Sequence, residues 1–169
     1  MTLARIWGVA GVLLLASSCS AFAQDSAKKF ISEAIQGNLA EISMGQLAQS
    51  KSQNDGVRMF GKALEADHSA AVEQSTAAAT EVGARVPTEP NTKQKRAYEM
   101  MSKLSGTKFD REFIDQMVED HKMDISKYTK QANGSGPVAS YAKETLPTLK
   151  QHLDTAQSLQ KQSVSSLAQ

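Results

Sequence analysis

A stripe of apolar residues that encloses a histidine limits the folds open to this chain more than any other feature. In FDREFIDQMVEDHKMDISKY, residues 109–128, Phe113, Met117, Ile125 and Tyr128 recur at helical spacing, and His121 falls inside their stripe. A helix that buries this face buries an imidazole, which is costly without a partner. The other two histidines, His68 and His152, sit in comparable stripes of other predicted helices. The chain must therefore pack helices so that three polar rings find partners inside.

The stripes predict four long helices. The first covers about residues 26–50, with Phe30, Ala34, Gly37, Glu41, Gly45 and Ala48 on one face. Glu41 is the single carboxylate there, and a rim position is its ordinary role. Ser52-Gln53-Asn54-Asp55-Gly56 is a turn in which Asn54 or Asp55 can cap the next helix. That second helix, about 55–83, aligns Val57, Phe60, Leu64, His68, Ala71, Ala78 and Val82, and Gly83 is a natural stop. Pro87 and Pro90 forbid its continuation.

Residues 91–104 read as a short amphipathic helix along or across the bundle, with Tyr98, Met101 and Leu104 as its apolar residues. Its Lys93, Lys95 and Arg96 read as a solvated face. The third long helix starts after Ser105-Gly106, where Thr107 and Asp110 resemble a capping box, and ends near Ala132. Beyond the turn at residues 133–137 the fourth aligns Val138, Ala142, Leu146, Leu149, Leu153, Ala156 and Leu159, with His152 on their flank. Pro147 should bend or split it, and residues 163–169 read as a frayed tail. The expected fold is all-α: a four-helix bundle with a long connection, including a short helix, between the second and third long helices.

Residues 1–23 read as an export leader. Arg5 is followed by the apolar run 6–16, too short for an ordinary span, and Ala21-Phe22-Ala23 offers a cleavage site. The mature domain is then 24–162, periplasmic, with no transmembrane segment. The alternative is a lipoprotein anchored through Cys19, but Ala16 stands where that signal usually has leucine. Cleavage removes the one cysteine, so no disulfide can support the fold. It also removes Arg5, leaving 18 basic residues (19 − 1) against 18 acidic ones. That balance argues against nucleic acid or an anionic membrane as the main partner.

Residues equidistant from a hairpin turn lie at one height. Glu41 and His68 average to (41 + 68)/2 = 54.5, within the first turn, and His121 and His152 to (121 + 152)/2 = 136.5, within the second. At ~1.5 Å per residue the pairs lie about 20 Å and about 23 Å from their turns. Whether the turns share an end or lie at opposite ends of ~42 Å helices, all four residues occupy one layer. Three imidazoles and a carboxylate there would suit a mononuclear transition-metal ion such as zinc, iron, copper or manganese. Glu65 or Asp124 could orient an imidazole from behind, or stand as a surface acid. Glu65 and His68 have E-x-x-H spacing, but Val118 and Leu149 precede the other histidines by three, so a di-iron ligand set is incomplete.

The segments ISEAIQGNLAEISMGQLAQSK, VRMFGKALEADHSA, GTKFDREFIDQMVEDHKMDI and LPTLKQHLDTA resemble a ferritin-like family of exported bacterial proteins, domain of unknown function 4142. The resemblance implies a helical bundle in the cell envelope and supplies no activity. Two functions compete on the residues. One is metal binding, for buffering or for redox and stress protection, including a metalloenzyme acting on peroxide or superoxide if a coordination position stays open. The other is a non-catalytic envelope protein that binds a protein or cell-wall partner and whose histidines belong to the core. The metal reading requires the three imidazoles to converge within a sphere of ~3–4 Å radius, with a Glu41 oxygen near enough to join.

Overall fold

The computed structural model describes the backbone of residues 13–167 and the side chains of residues 24–163. The expected leader, its cleavage point and Cys19 lie outside the residues whose side chains are described. Five helices follow in order: α1 (Leu13–Lys51), α2 (Asp55–Glu81), α3 (Thr92–Ser102), α4 (Gly106–Ala132) and α5 (Pro137–Leu167). No strand occurs among the described residues, so the all-α expectation holds.

Local chemistry accounts for most boundaries. Asn54 caps α2 by accepting from the Val57 amide. Gly83, at φ 63°, closes α2: its amide bonds the Thr80 carbonyl and the Ala84 amide bonds that of Ala79. Those two bonds satisfy carbonyls the helix end would leave open, and the left-handed φ favours glycine. Asn91 and Gln94 form a reciprocal capping box on α3. The expected Thr107–Asp110 box does not form. Gly106, at φ 58°, already begins α4 behind Ser105, whose side chain makes no cap bond. Nor does Pro147 split α5, which runs through it as one helix. Pro147 is exposed, so water can bond the Lys143 carbonyl that loses its helical partner.

The short turns make two antiparallel hairpins, α1/α2 and α4/α5, and α2 packs on α5 between them. Two buried apolar clusters show how the hairpins stack. One joins Leu47, Val57, Phe60, Phe109, Phe113 and Leu159; the other joins Ile31, Ala79, Tyr128, Ala132, Val138 and Leu149. Residues beside the α1/α2 turn thus share a cluster with the start of α4, and residues beside the α4/α5 turn share one with the end of α2. The two turns lie at opposite ends, and the connection carrying α3 returns along the bundle. Met101, buried, and Ala97 and Leu104, partly buried, fasten α3 to the first cluster, whereas Tyr98 is left exposed. The histidines fall where the clusters part: His121 between Met117 and Tyr128, His152 between Leu149 and Ala156.

Candidate metal centre

His68, His121 and His152 are all buried and come from α2, α4 and α5. One nitrogen from each ring lies within 4.8 Å of the others, as a shared ion requires. Ring centroids stand 5.2 Å apart for His121–His152, 5.3 Å for His68–His152 and 6.0 Å for His68–His121.

The partners on the outer side of each ring decide where its proton sits. His68 Nδ1 is 2.9 Å from Asn38 Oδ1. The Asn38 amide is oriented by Ser75, whose hydroxyl donates to the Ala71 carbonyl at 2.7 Å and so can only accept from Asn38 Nδ2, at 3.5 Å. Tyr141 Oη, 2.9 Å from Asn38 Nδ2, holds the same orientation. Asn38 therefore presents its oxygen to the ring, and His68 donates from Nδ1. Its Nε2 keeps a lone pair, is buried and has no partner.

His121 Nδ1 donates to the Met117 carbonyl at 2.9 Å, one turn back on α4, which leaves a lone pair on Nε2. His152 Nε2 donates to Asp67 Oδ2 at 2.8 Å, which leaves a lone pair on Nδ1. His121 Nε2 and His152 Nδ1 face each other at 3.3 Å. Two lone pairs at that distance repel unless a proton or a metal ion lies between them. Burial opposes the proton. It lowers all three histidines from their ordinary value near 6.5, His121 to about 4 and His68 furthest of the others, and each charged ring would disfavour charge on its neighbours. Asp67 offsets only part of this at His152. The rings are thus neutral, converging donors braced by an amide oxygen, a carbonyl and a carboxylate, the outer support found behind metal-bound imidazoles.

The other expected site residues are placed differently. Glu41 is buried but lies outside the convergent group, and its Oε2 has no partner. It lines a cavity of about 480 Å³ between α1, α3 and α4, whose wall also includes His68, Asp120, Asp124, Lys93 and Lys127. Burial, then the charges of Asp120 and Asp124, push the Glu41 carboxyl well above the usual range. Glu65 braces no imidazole: its two oxygens accept from Gln46 and Gln49 on α1. Asp124 pairs with Lys127 at 3.1 Å and faces the cavity. Sequence reasoning missed Asn38 and Asp67 as ring partners. The hairpin rule could have found Asn38, since (38 + 68)/2 = 53 also lands in the first turn. No such rule reaches Asp67, whose partner His152 lies on a non-consecutive helix.

Fold and site together define a class: an all-helical bundle whose middle layer carries three converging neutral histidines. Within that class, the chain belongs to the DUF4142 family, a domain of unknown function, which matches residues 14–159. No curated protein and no solved structure matches the chain.

Proposed function

We propose that this protein is an exported, periplasmic metal-binding bundle in which His68, His121 and His152 hold one transition-metal ion, for buffering or for redox and stress protection. The observation that carries the reading is the pair of facing lone pairs on His121 and His152 beside the orphaned Nε2 of His68. Neutral imidazole suits zinc, iron, copper and manganese. Glu41, which lines the same cavity as His68 although it lies outside the convergent group, is the carboxylate we propose as a fourth ligand, and it would offset part of the ion's charge. The crossover between α2 and α4 supports a ferritin-like reading of the bundle, a class that places metal between facing helices.

Elemental analysis of protein purified without an affinity tag names the ion, and competition against a chromophoric chelator gives its affinity. We expect one ion per chain and a sharp loss of affinity in His68→Ala, His121→Ala and His152→Ala. Binding indifferent to all three substitutions returns the histidines to the core and leaves an envelope interaction protein. Export is tested separately. The intact mass of protein from a periplasmic extract should correspond to a chain beginning near Gln24, whereas a diacylglyceryl-modified Cys19 in the membrane fraction establishes the lipoprotein alternative.

A further inference from the structure

The hydrogen bonds behind His68 continue past Asn38 into a pair of buried tyrosines, Tyr128 of α4 and Tyr141 of α5. Tyr141 Oη stands 2.9 Å from Asn38 Nδ2 and 3.1 Å from Tyr128 Oη. The amide nitrogen can only donate, so among the described residues the Tyr128 oxygen is the acceptor left for the Tyr141 proton. Three donors thus point one way, from His68 Nδ1 through Asn38 and Tyr141 to Tyr128. The chain can also run in the other sense. If the Asn38 amide turns over, Tyr141 donates to its oxygen and its nitrogen donates to His68 Nδ1. The ring then carries its proton on Nε2, where it blocks a metal ion. Ser75 opposes that turn only through a long contact of 3.5 Å.

We propose that Tyr128, which bonds to no histidine, is a positioning residue of the metal centre. By accepting the Tyr141 proton it keeps that proton off Asn38, whose oxygen stays free to hold His68 in its metal-binding tautomer. Without that acceptor the Tyr141 proton is a buried donor with no partner, and it reaches the Asn38 oxygen by turning the amide. An orphaned buried hydroxyl outweighs a contact of 3.5 Å, so the chain reverses. Burial, then Tyr141, raises the Tyr128 phenol well above its ordinary value near 10, so it stays a neutral hydroxyl at neutral pH. The inference rests on the histidine centre proposed above and adds the residue that sets the place of the His68 proton.

Tyr128→Phe removes the acceptor and keeps the ring, which packs edge-on against Phe30 at 4.9 Å between centroids. Full-length, metal-free, 15N-labelled proteins are compared by the long-range 1H–15N spectra of their imidazoles, and zinc affinity by competition with a chromophoric chelator. In Tyr128→Phe, His68 shifts towards the Nε2–H form while His121 and His152 keep their wild-type tautomers, and zinc affinity falls about tenfold or more. Tyr128→Phe/Tyr141→Phe also removes the stray proton, so Ser75 again orients the amide and both readings return towards wild type. A residue that only fills space gives the opposite order, with the double variant the weaker binder. The proposal is overturned by a wild type with His68 as Nε2–H, by a Tyr128→Phe protein with wild-type tautomer or affinity, or by a double variant that does not recover both. A wild type that binds no zinc removes the function proposed above, whereas the tautomers of the metal-free proteins still decide this inference.

Discussion

Each histidine has one nitrogen occupied from outside and one turned inward, and most of the chemistry follows from that division. In metal-free protein we expect the ring 15N shifts to report His68 and His121 as Nδ1–H tautomers and His152 as Nε2–H. His121 should remain neutral until the pH falls to about 4. Because its folded value lies below the unfolded value near 6.5, the unfolded chain binds the proton first as pH drops. Its stabilising contribution is full above ~6.5 and is lost between there and about 4. Proton competition with a bound metal therefore begins lower than free imidazole implies, and affinity should hold below pH ~6.5 before falling. Glu41 has the opposite sign. Its folded value is raised, so its contribution is full below the unfolded value of about 4.5 and is lost as pH rises. Calorimetry at pH 7 should accordingly show metal-free Glu41→Gln melting above the wild type. Asn38→Ala removes the acceptor behind His68 and should weaken zinc binding by about 10–100-fold in a chelator competition.

At the scale of the element, helix spacing governs whether those partners meet. A Cβ on Gly45 would lie 2.5 Å from the Gly61 carbonyl oxygen, and one on Gly61 would lie 2.6 Å from that of Gly45. The obstacle in each case is backbone, which cannot swing aside, so α1 and α2 must separate. Gly45→Ala should cost ~1–3 kcal/mol in denaturant unfolding, and should also weaken metal binding by drawing Asn38 away from His68. Gly37 belongs to the same stripe, yet a Cβ there meets nothing within 4 Å. Gly37→Ala should instead stabilise α1 by ~0.5–1 kcal/mol. The stripe was legible in the sequence because its spacing is local. The contrast between its two glycines was not, because it depends on what α2 places opposite each. The caps divide similarly: Asn54 was legible from turn chemistry, whereas the Thr107–Asp110 pattern was pre-empted by an earlier start at Gly106.

Across the whole molecule, a polar layer separates two apolar clusters, and an ion in it would join α2, α4 and α5. Zinc at about 100 times its dissociation constant should stabilise the fold by ~2.7 kcal/mol. Thermal melts should show a rise reversed by a chelator and absent in His152→Ala. The sequence by itself determined the helices, their principal breaks and the common level of the three histidines. Periodicity and turn chemistry act over a few residues, and a short hairpin turn carries that register from one helix to the next. Only the tertiary structure decided that the two turns lie at opposite ends and that Asp67 on α2 braces His152 on α5. It likewise decided that Asn38, not Glu41, meets His68, and that Glu41 faces a cavity under α3. A spacing places a residue at a height along its helix. Which nitrogen of a ring carries the proton, and whether a carboxylate meets that ring or a cavity, depends on the rotation of each helix and on side chains from helices distant in the chain.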